Sequence, residues 1–257
     1  MEDDLVRAIA QLGKEALAWE KRNDRSKETY LSSSYEAFLY FLHRMFYRGR
    51  FDWLSEHYFQ EAAPKVKAFL SRHGWQRPPS KDTDELGLRK LPLKYKFPRA
   101  DFEMVYGAIE AVSKLRENNV VKLAKEAIEA GSVSDLYKQI VSVPYIKDKL
   151  ACLFLRDVAS LYDLIERITG GVTYFLPVDT WVRQLCQKLG VGSEKALAAE
   201  VKSGMVEACK GRLNVSPIDF DHGLWVVSQL PYVVRNFEFI SGNLATIRTL
   251  SESSLLR

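Results

Sequence analysis

Two residues stand in positions where their chemistry could matter. Lys149 falls in the first turn of a helix that begins near Lys147, just after Val143-Pro144 closes the helix before it. Proline disfavours helix at the residue that precedes it, which sets that break. Thirty residues on, Asp179 opens another helix behind the bend Phe175-Leu176-Pro177. A lysine amine is a nucleophile only when neutral; burial, a helix N-terminus and a like charge such as Lys147 all favour that form. A neutral amine forms Schiff bases at anomeric carbons, and a carboxylate stabilises the positive charge that grows on a sugar as its glycosidic bond breaks. The pair therefore suits glycosidic cleavage with covalent capture of the sugar. Alone, Lys149 reads as a solvated surface lysine and Asp179 as a helix N-cap.

Other side chains could hold what such a pair would act on. Asp221 and Trp225 lie one helical turn apart on one face, and Trp53 sits early in the chain. An indole face is worth roughly 1–3 kcal/mol when a nucleobase stacks on it, and Asp221 could accept a hydrogen bond from a purine N–H. Each of the three is as readily a core residue as a pocket residue. Lys147 could contact a phosphate directly. Arg89, Lys90, Lys94 and Lys96 either hold phosphates or decorate a solvated connection. Trp181 reads as packing and His222 as structural, since one histidine makes no metal site.

The elements that must position these residues are helices. Apolar residues recur at helical spacing in Leu5, Ile9, Leu12 and Ala16, in Phe38, Leu42 and Phe46, then Phe51 and Leu54, and in Met104, Ile109, Val112 and Leu115. No run alternates in the manner of a strand, so the expected class is all-α. Gly74–Pro98, with four prolines among basic and polar residues, reads as a long connection with a short extended piece at Leu91–Tyr95. Gly131-Ser132-Val133-Ser134 starts a helix; the one that carries Lys149 runs towards Ile168; the one at Asp179 ends at Gly190. Ser193 and Ser216 read as N-caps, with Pro217 in the first helical position.

The 257 residues, 47% hydrophobic, suffice for one large unit of two lobes, and the net charge of +4 permits a polyanionic partner without requiring one. Cys152, Cys186 and Cys209 are too few and too scattered for a disulfide framework, a paired zinc spacing or a four-thiolate cluster; Cys152 and Cys186, in apolar helical stretches, read as small buried hydrophobes. The acidic start Met1-Glu2-Asp3-Asp4 is unlike a signal peptide, and His43 and Arg44 interrupt the apolar stretch Phe38–Phe46. A soluble intracellular monomer that uses no membrane is the expectation.

At this point the sequence resembles a family. Val143-Pro144-Tyr145-Ile146-Lys147-Asp148-Lys149-Leu150-Ala151 is similar to the hairpin of helix-hairpin-helix DNA glycosylases, typically Leu-Pro-Gly-Val-Gly-x-Lys-x-Ala, and Pro177-Val178-Asp179-Thr180 is similar to that family's Pro-Val-Asp motif. Tyr145 and Lys147 replace the two hairpin glycines, which normally bring backbone N–H groups close to a phosphate. Asp221…Leu224-Trp225 and the segment Gly49-Arg50-Phe51-Asp52-Trp53 resemble base-pocket segments of the archaeal 8-oxoguanine branch. The resemblance, over about Tyr40–Leu230, implies two helical subdomains with a cleft between them and a helix-hairpin-helix element at residues 132–168. It implies a bifunctional glycosylase/AP lyase, with Lys149 and Asp179 catalytic, Trp53, Asp221 and Trp225 in the base pocket, and Lys147 on a DNA phosphate. The substrate would be double-stranded DNA containing an oxidised purine, 8-oxoguanine foremost, and no cofactor or metal would be needed. The alternatives are an inactive DNA-binding module of the same fold and a monofunctional glycosylase for alkylated bases.

Overall fold

The computed structural model describes residues 3–24, 26–48, 52–91, 97–193, 195–213 and 215–229. Gly49, Arg50, Phe51, Lys94, Lys96 and the extended piece expected after Leu91 lie outside them. Eleven α-helices and no strand occur among the described residues, and none of these helices is long and apolar enough to cross a membrane. The chain divides into two units, one built from both ends of the sequence and one from residues 26–164.

The first unit holds α1 (Asp3–Asn23), α9 (Thr180–Lys188), α10 (Ala198–Cys209) and α11 (Pro217–Gln229). Helix α11 buries Ile218, Phe220, Leu224 and Val227, and also Asp221 and His222. A helix buried on all sides belongs at the centre of its unit. Its neighbours are α1, α9, α10 and the 3-10 turn Val172–Phe175. Its tightest neighbour is α1, because Gly13 and Gly223 let the two backbones touch. A Cβ on Gly13 would overlap the Asp219 carbonyl, and one on Gly223 would overlap the Ile9 carbonyl.

The second unit holds α2 (Lys27–Ser32), α3 (Ser34–Met45), α4 (Asp52–His73), α5 (Arg99–Ser113), α6 (Val120–Glu129), α7 (Val133–Val141) and α8 (Asp148–Leu161). Helix α3 is its hub and packs on α2, α4, α5, α6 and α8. The Phe41 and Phe154 rings meet edge to face, 5.0 Å between centroids. Buried Asn119 ties two elements: its Oδ1 caps α6 by accepting from the Lys122 N–H, and its Nδ2 donates to the Tyr30 and Leu31 carbonyls at the end of α2.

Several boundaries depart from the sequence expectations. The Lys149 helix stops at Leu161 instead of running to Ile168, although the apolar spacing continues through Leu164 and Ile165. Asp163 adopts a left-handed φ of 57°, the Leu164 N–H reaches back to the Ala159 carbonyl and the Asp163 N–H to the Ser160 carbonyl. That is a Schellman stop with aspartate in the place usually held by glycine. Ser193 does not cap a helix; its carbonyl accepts from Ala196 in a turn, and α10 begins only at Ala198. Trp181 is 45% exposed. Val182, Leu185 and Cys186 form the inner face of α9, and Trp181 lies off it. The connection after Gly74 is docked: Asp84 accepts from the Leu88 and Arg89 N–H groups and from the Tyr106 hydroxyl, and Arg89 lies 4.2 Å above the Phe102 ring.

The glycine crossing makes a test. Gly223→Ala and Gly13→Ala each force α1 and α11 apart and should cost at least about 3 kcal/mol, the upper end of ordinary overpacking, because backbone and not a side chain must yield. Gly170 has open space around it, so Gly170→Ala should stay within about 0.5 kcal/mol of the parent. Urea denaturation followed by circular dichroism measures all three, and a tolerated Gly223→Ala would refute the backbone crossing.

Candidate functional site

The segment around Lys149 begins with a β-turn. The Ile146 N–H donates to the Val143 carbonyl at 3.1 Å, Pro144 stands second in the turn and Tyr145 third, with φ +63°. A positive φ at the third position is the mark of a type II turn, which proline favours at the second position and glycine at the third. The first of the two missing hairpin glycines is thus a conformational requirement, and Tyr145 meets it at a cost of roughly 1–2 kcal/mol. The second is not: Lys147 is extended, φ −119° and ψ −179°, a conformation open to any residue. The Lys147 carbonyl then accepts from Leu150 and Ala151 and starts α8.

Two contacts hold this turn. Pro144 packs on α5 at Gly107, where a Cβ would come within 2.6 Å of the proline Cδ. The Tyr137 hydroxyl of α7 donates to Asp148 at 2.7 Å, and the Cys152 thiol lies 3.6 Å from the same oxygen. Lys149 is half-buried in the first turn of α8, Lys147 is exposed, and Trp53, second residue of α4, is 62% exposed.

A polar network that sequence reasoning missed crosses the middle of α8. Asp157, 9% exposed, accepts from Arg44 at 3.0 Å through one oxygen and from Arg156 at 2.9 and 3.1 Å through the other. Arg44 also bonds the His43 Nδ1 at 2.8 Å and lies 4.2 Å over the Tyr40 ring, while the His43 Nε2 meets Glu56 at 2.6 Å. Burial, and then the Arg44 charge, lower the His43 pKa, so the neutral ring accepts from Arg44 and donates to Glu56. Burial would raise the Glu56 carboxyl, but the His43 and Gln60 hydrogen bonds and the Arg44 charge together hold it below its ordinary range. The network ties α3 to α4 and to the helix that carries Lys149. Its signal was the His43-Arg44 pair that breaks an apolar stretch; nothing local assigned Glu56, Arg156 or Asp157 as partners.

In the other unit Asp179 caps α9. Its Oδ1 accepts from the Trp181 and Val182 N–H groups, each at 2.9 Å, and the side chain remains half-buried. Pro177 and Val178 before it are buried, which fixes where the helix begins. Asp221 and Trp225 lie one turn apart on α11 as expected, and their surroundings differ. Asp221 is fully buried; burial first, and then the Asp221 charge, raise the Cys186 thiol. Trp225 is half-buried and stacks on His222, 5.5 Å between centroids and 16° between planes. His222 is buried, with its Nε2 3.4 Å from Glu20. All three cysteines are free and buried.

Asp219, at the start of α11 and 8% exposed, carries a pKa pushed up to about 6 by burial, with Glu166 adding to the shift and Lys14 opposing it. Between about pH 4 and pH 6 the folded chain then holds this proton more tightly than the unfolded chain does. Stability contributed by Asp219 therefore falls as pH rises through that window and is flat above it. Asp219→Asn should stabilise the protein at about pH 7.5 by up to about 3 kcal/mol and leave it unchanged near pH 4. Urea midpoints at the two pH values check this; an equal gain at both would contradict it.

Compared with models of known families, with curated proteins and with solved structures, the chain matches none.

Proposed function

We propose that this protein is a DNA glycosylase with AP lyase activity, acting on oxidised purines in double-stranded DNA, 8-oxoguanine foremost. The observation that carries the reading is the Pro144-Tyr145 turn. A left-handed residue stands where the resembled hairpin has its first glycine, and Lys149 follows four residues later in the first turn of a helix. On this reading α7, the turn and α8 are a helix-hairpin-helix, with Lys149 as the nucleophile and Asp179 as the carboxylate that assists it.

The chemistry follows from the two groups. The Lys149 Nζ lone pair forms a bond to the anomeric carbon as the glycosidic electron pair leaves with the base, which takes up a proton. The Asp179 carboxylate stabilises the oxocarbenium character of the sugar in between. Loss of a proton from the nitrogen and opening of the sugar ring leave a Schiff base. Removal of a proton from the next sugar carbon then expels the 3′ phosphate and nicks the strand. Extruding the base from the duplex costs a few kcal/mol, which Trp53 and Trp225 would offset by stacking, with Lys147 held to a phosphate; Asp221, fully buried within α11's surroundings, is closed to the base.

A DNA-binding module without catalysis is the second reading. The engagement of the Asp179 Oδ1 by two backbone N–H groups, a purely structural use of that carboxylate, favours it.

Kinetics on a duplex containing 8-oxoguanine separate the readings. Lys149→Gln should abolish nicking and borohydride trapping while binding survives, because an amide of similar length cannot form a Schiff base. Asp179→Asn should slow base release by about 10²–10³ and slow the opening of a preformed abasic site less, since no glycosidic bond remains to break. Nicking by Lys149→Gln at the parent rate would place the nucleophile elsewhere, with Lys147 next to test. Binding without base release by the parent would mark the second reading, and base release without trapping a monofunctional enzyme.

A further inference from the structure

The hairpin turn keeps a tyrosine where glycine would be unstrained, and its neighbours contact that tyrosine without covering it. Arg48 lies 5.2 Å from the Tyr145 ring centroid and is itself anchored at 3.2 Å to Asp101, which is 1% exposed. Arg99 holds the Glu103 carboxylate at 2.7 Å, close to Tyr145. Even so, Tyr145 is 40% exposed. Arg99 is 86% exposed, Lys147 two residues along is exposed, and Lys81 lies close enough to Glu103 to act on its charge. Arg48, Arg99, Lys81 and Lys147 stand here among the carboxylates of Asp101, Glu103 and Asp148.

Packing alone does not account for this. The turn is already seated through Pro144 on Gly107, and glycine at 145 would remove the strain. What the tyrosine adds is an aromatic surface in contact with solvent, with one cation against it and others nearby. An exposed ring beside cations suits a nucleotide, with the ring against a base and the cations on the phosphates around it. Bases inside an intact duplex offer no free face. An unpaired or extruded nucleotide does.

We propose that Tyr145, backed by Arg48, is a preorganised stacking platform for an unpaired nucleotide, with Lys147 and Arg99 on the flanking phosphates. This rests on the reading of the partner as DNA, and it gives the hairpin a side-chain grip in place of the glycine-lined approach of backbone to phosphate. The strain at residue 145 is then retained for binding, against the interest of stability.

The test uses fluorescence anisotropy at fixed salt with two labelled DNAs, an intact duplex and the same duplex carrying one unpaired nucleotide. Tyr145→Phe should bind both within about twofold of the parent. Tyr145→Gly should lose roughly 5- to 150-fold on the unpaired-nucleotide duplex, the worth of one aromatic–base stack, and less than about twofold on the intact one. Its melting temperature should be equal or higher, because the turn relaxes. Equal losses on both DNAs with a lower melting temperature would assign Tyr145 to hairpin packing and overturn the proposal, as would no loss on either while the parent binds. A parent protein with no affinity for either DNA would overturn the proposal together with the DNA reading itself.

Discussion

Helices α1 and α11 cross with no side chain between them at Gly13 and Gly223, and the unit built from the chain ends depends on that contact. It joins the first described helix to the last, so residues 26–164 are an insertion within a unit that closes around them in sequence. It also sets how deeply α11 is buried. With α1 against it, Asp221 and His222 lie in the interior and Trp225 half outside. Polar groups are retained in that interior at a cost that the raised Asp219 carboxyl makes visible.

In the inserted unit the corresponding constraint is electrostatic. One carboxylate, Asp157, pairs with two arginines on α8 and α3, and Arg44 passes the connection on through His43 to Glu56. Buried ion pairs are uncertain sources of net stability, yet removing one partner leaves a buried charge uncompensated. Their effect here is geometric. Helix α8 is held at its middle by α3 and at its start by the Tyr137–Asp148 bond, so the first turn with Lys149 has two fixed points on one element.

How much of this was legible in the sequence follows from how local each signal is. The all-helical class, the ends of α7 and α9, the start at Pro217 and the burial of Cys152 and Cys186 rest on spacing, proline and glycine, and all appear in the structure. The end of α8 did not, because its left-handed stop is carried by Asp163, where the chemistry gives no warning that glycine would. Tyr145 hid a type II turn in the same way: Pro144 pointed to it, but the residue that takes the positive φ is one that rarely does. The partners of His43 and the closeness of Gly13 to Gly223 are long-range facts. Gly13 sits within an ordinary helical pattern and reads as a mild defect until α11 is laid against it. Of the candidate site residues, Lys149, Asp179, Asp221 and Trp225 occupy the helical positions read for them, while the burial of Asp221 and the exposure of Trp53 and Trp181 could come only from the packing.

The account turns on one covalent bond, between a lysine nitrogen and a sugar carbon. Incubating the protein with 8-oxoguanine duplex in the presence of borohydride, digesting the adduct and sequencing the modified peptide by mass spectrometry locates that bond directly. The account predicts a single adduct, on the nitrogen of Lys149. An adduct on Lys147 or any other amine, or no adduct from protein that demonstrably binds the duplex, would contradict it.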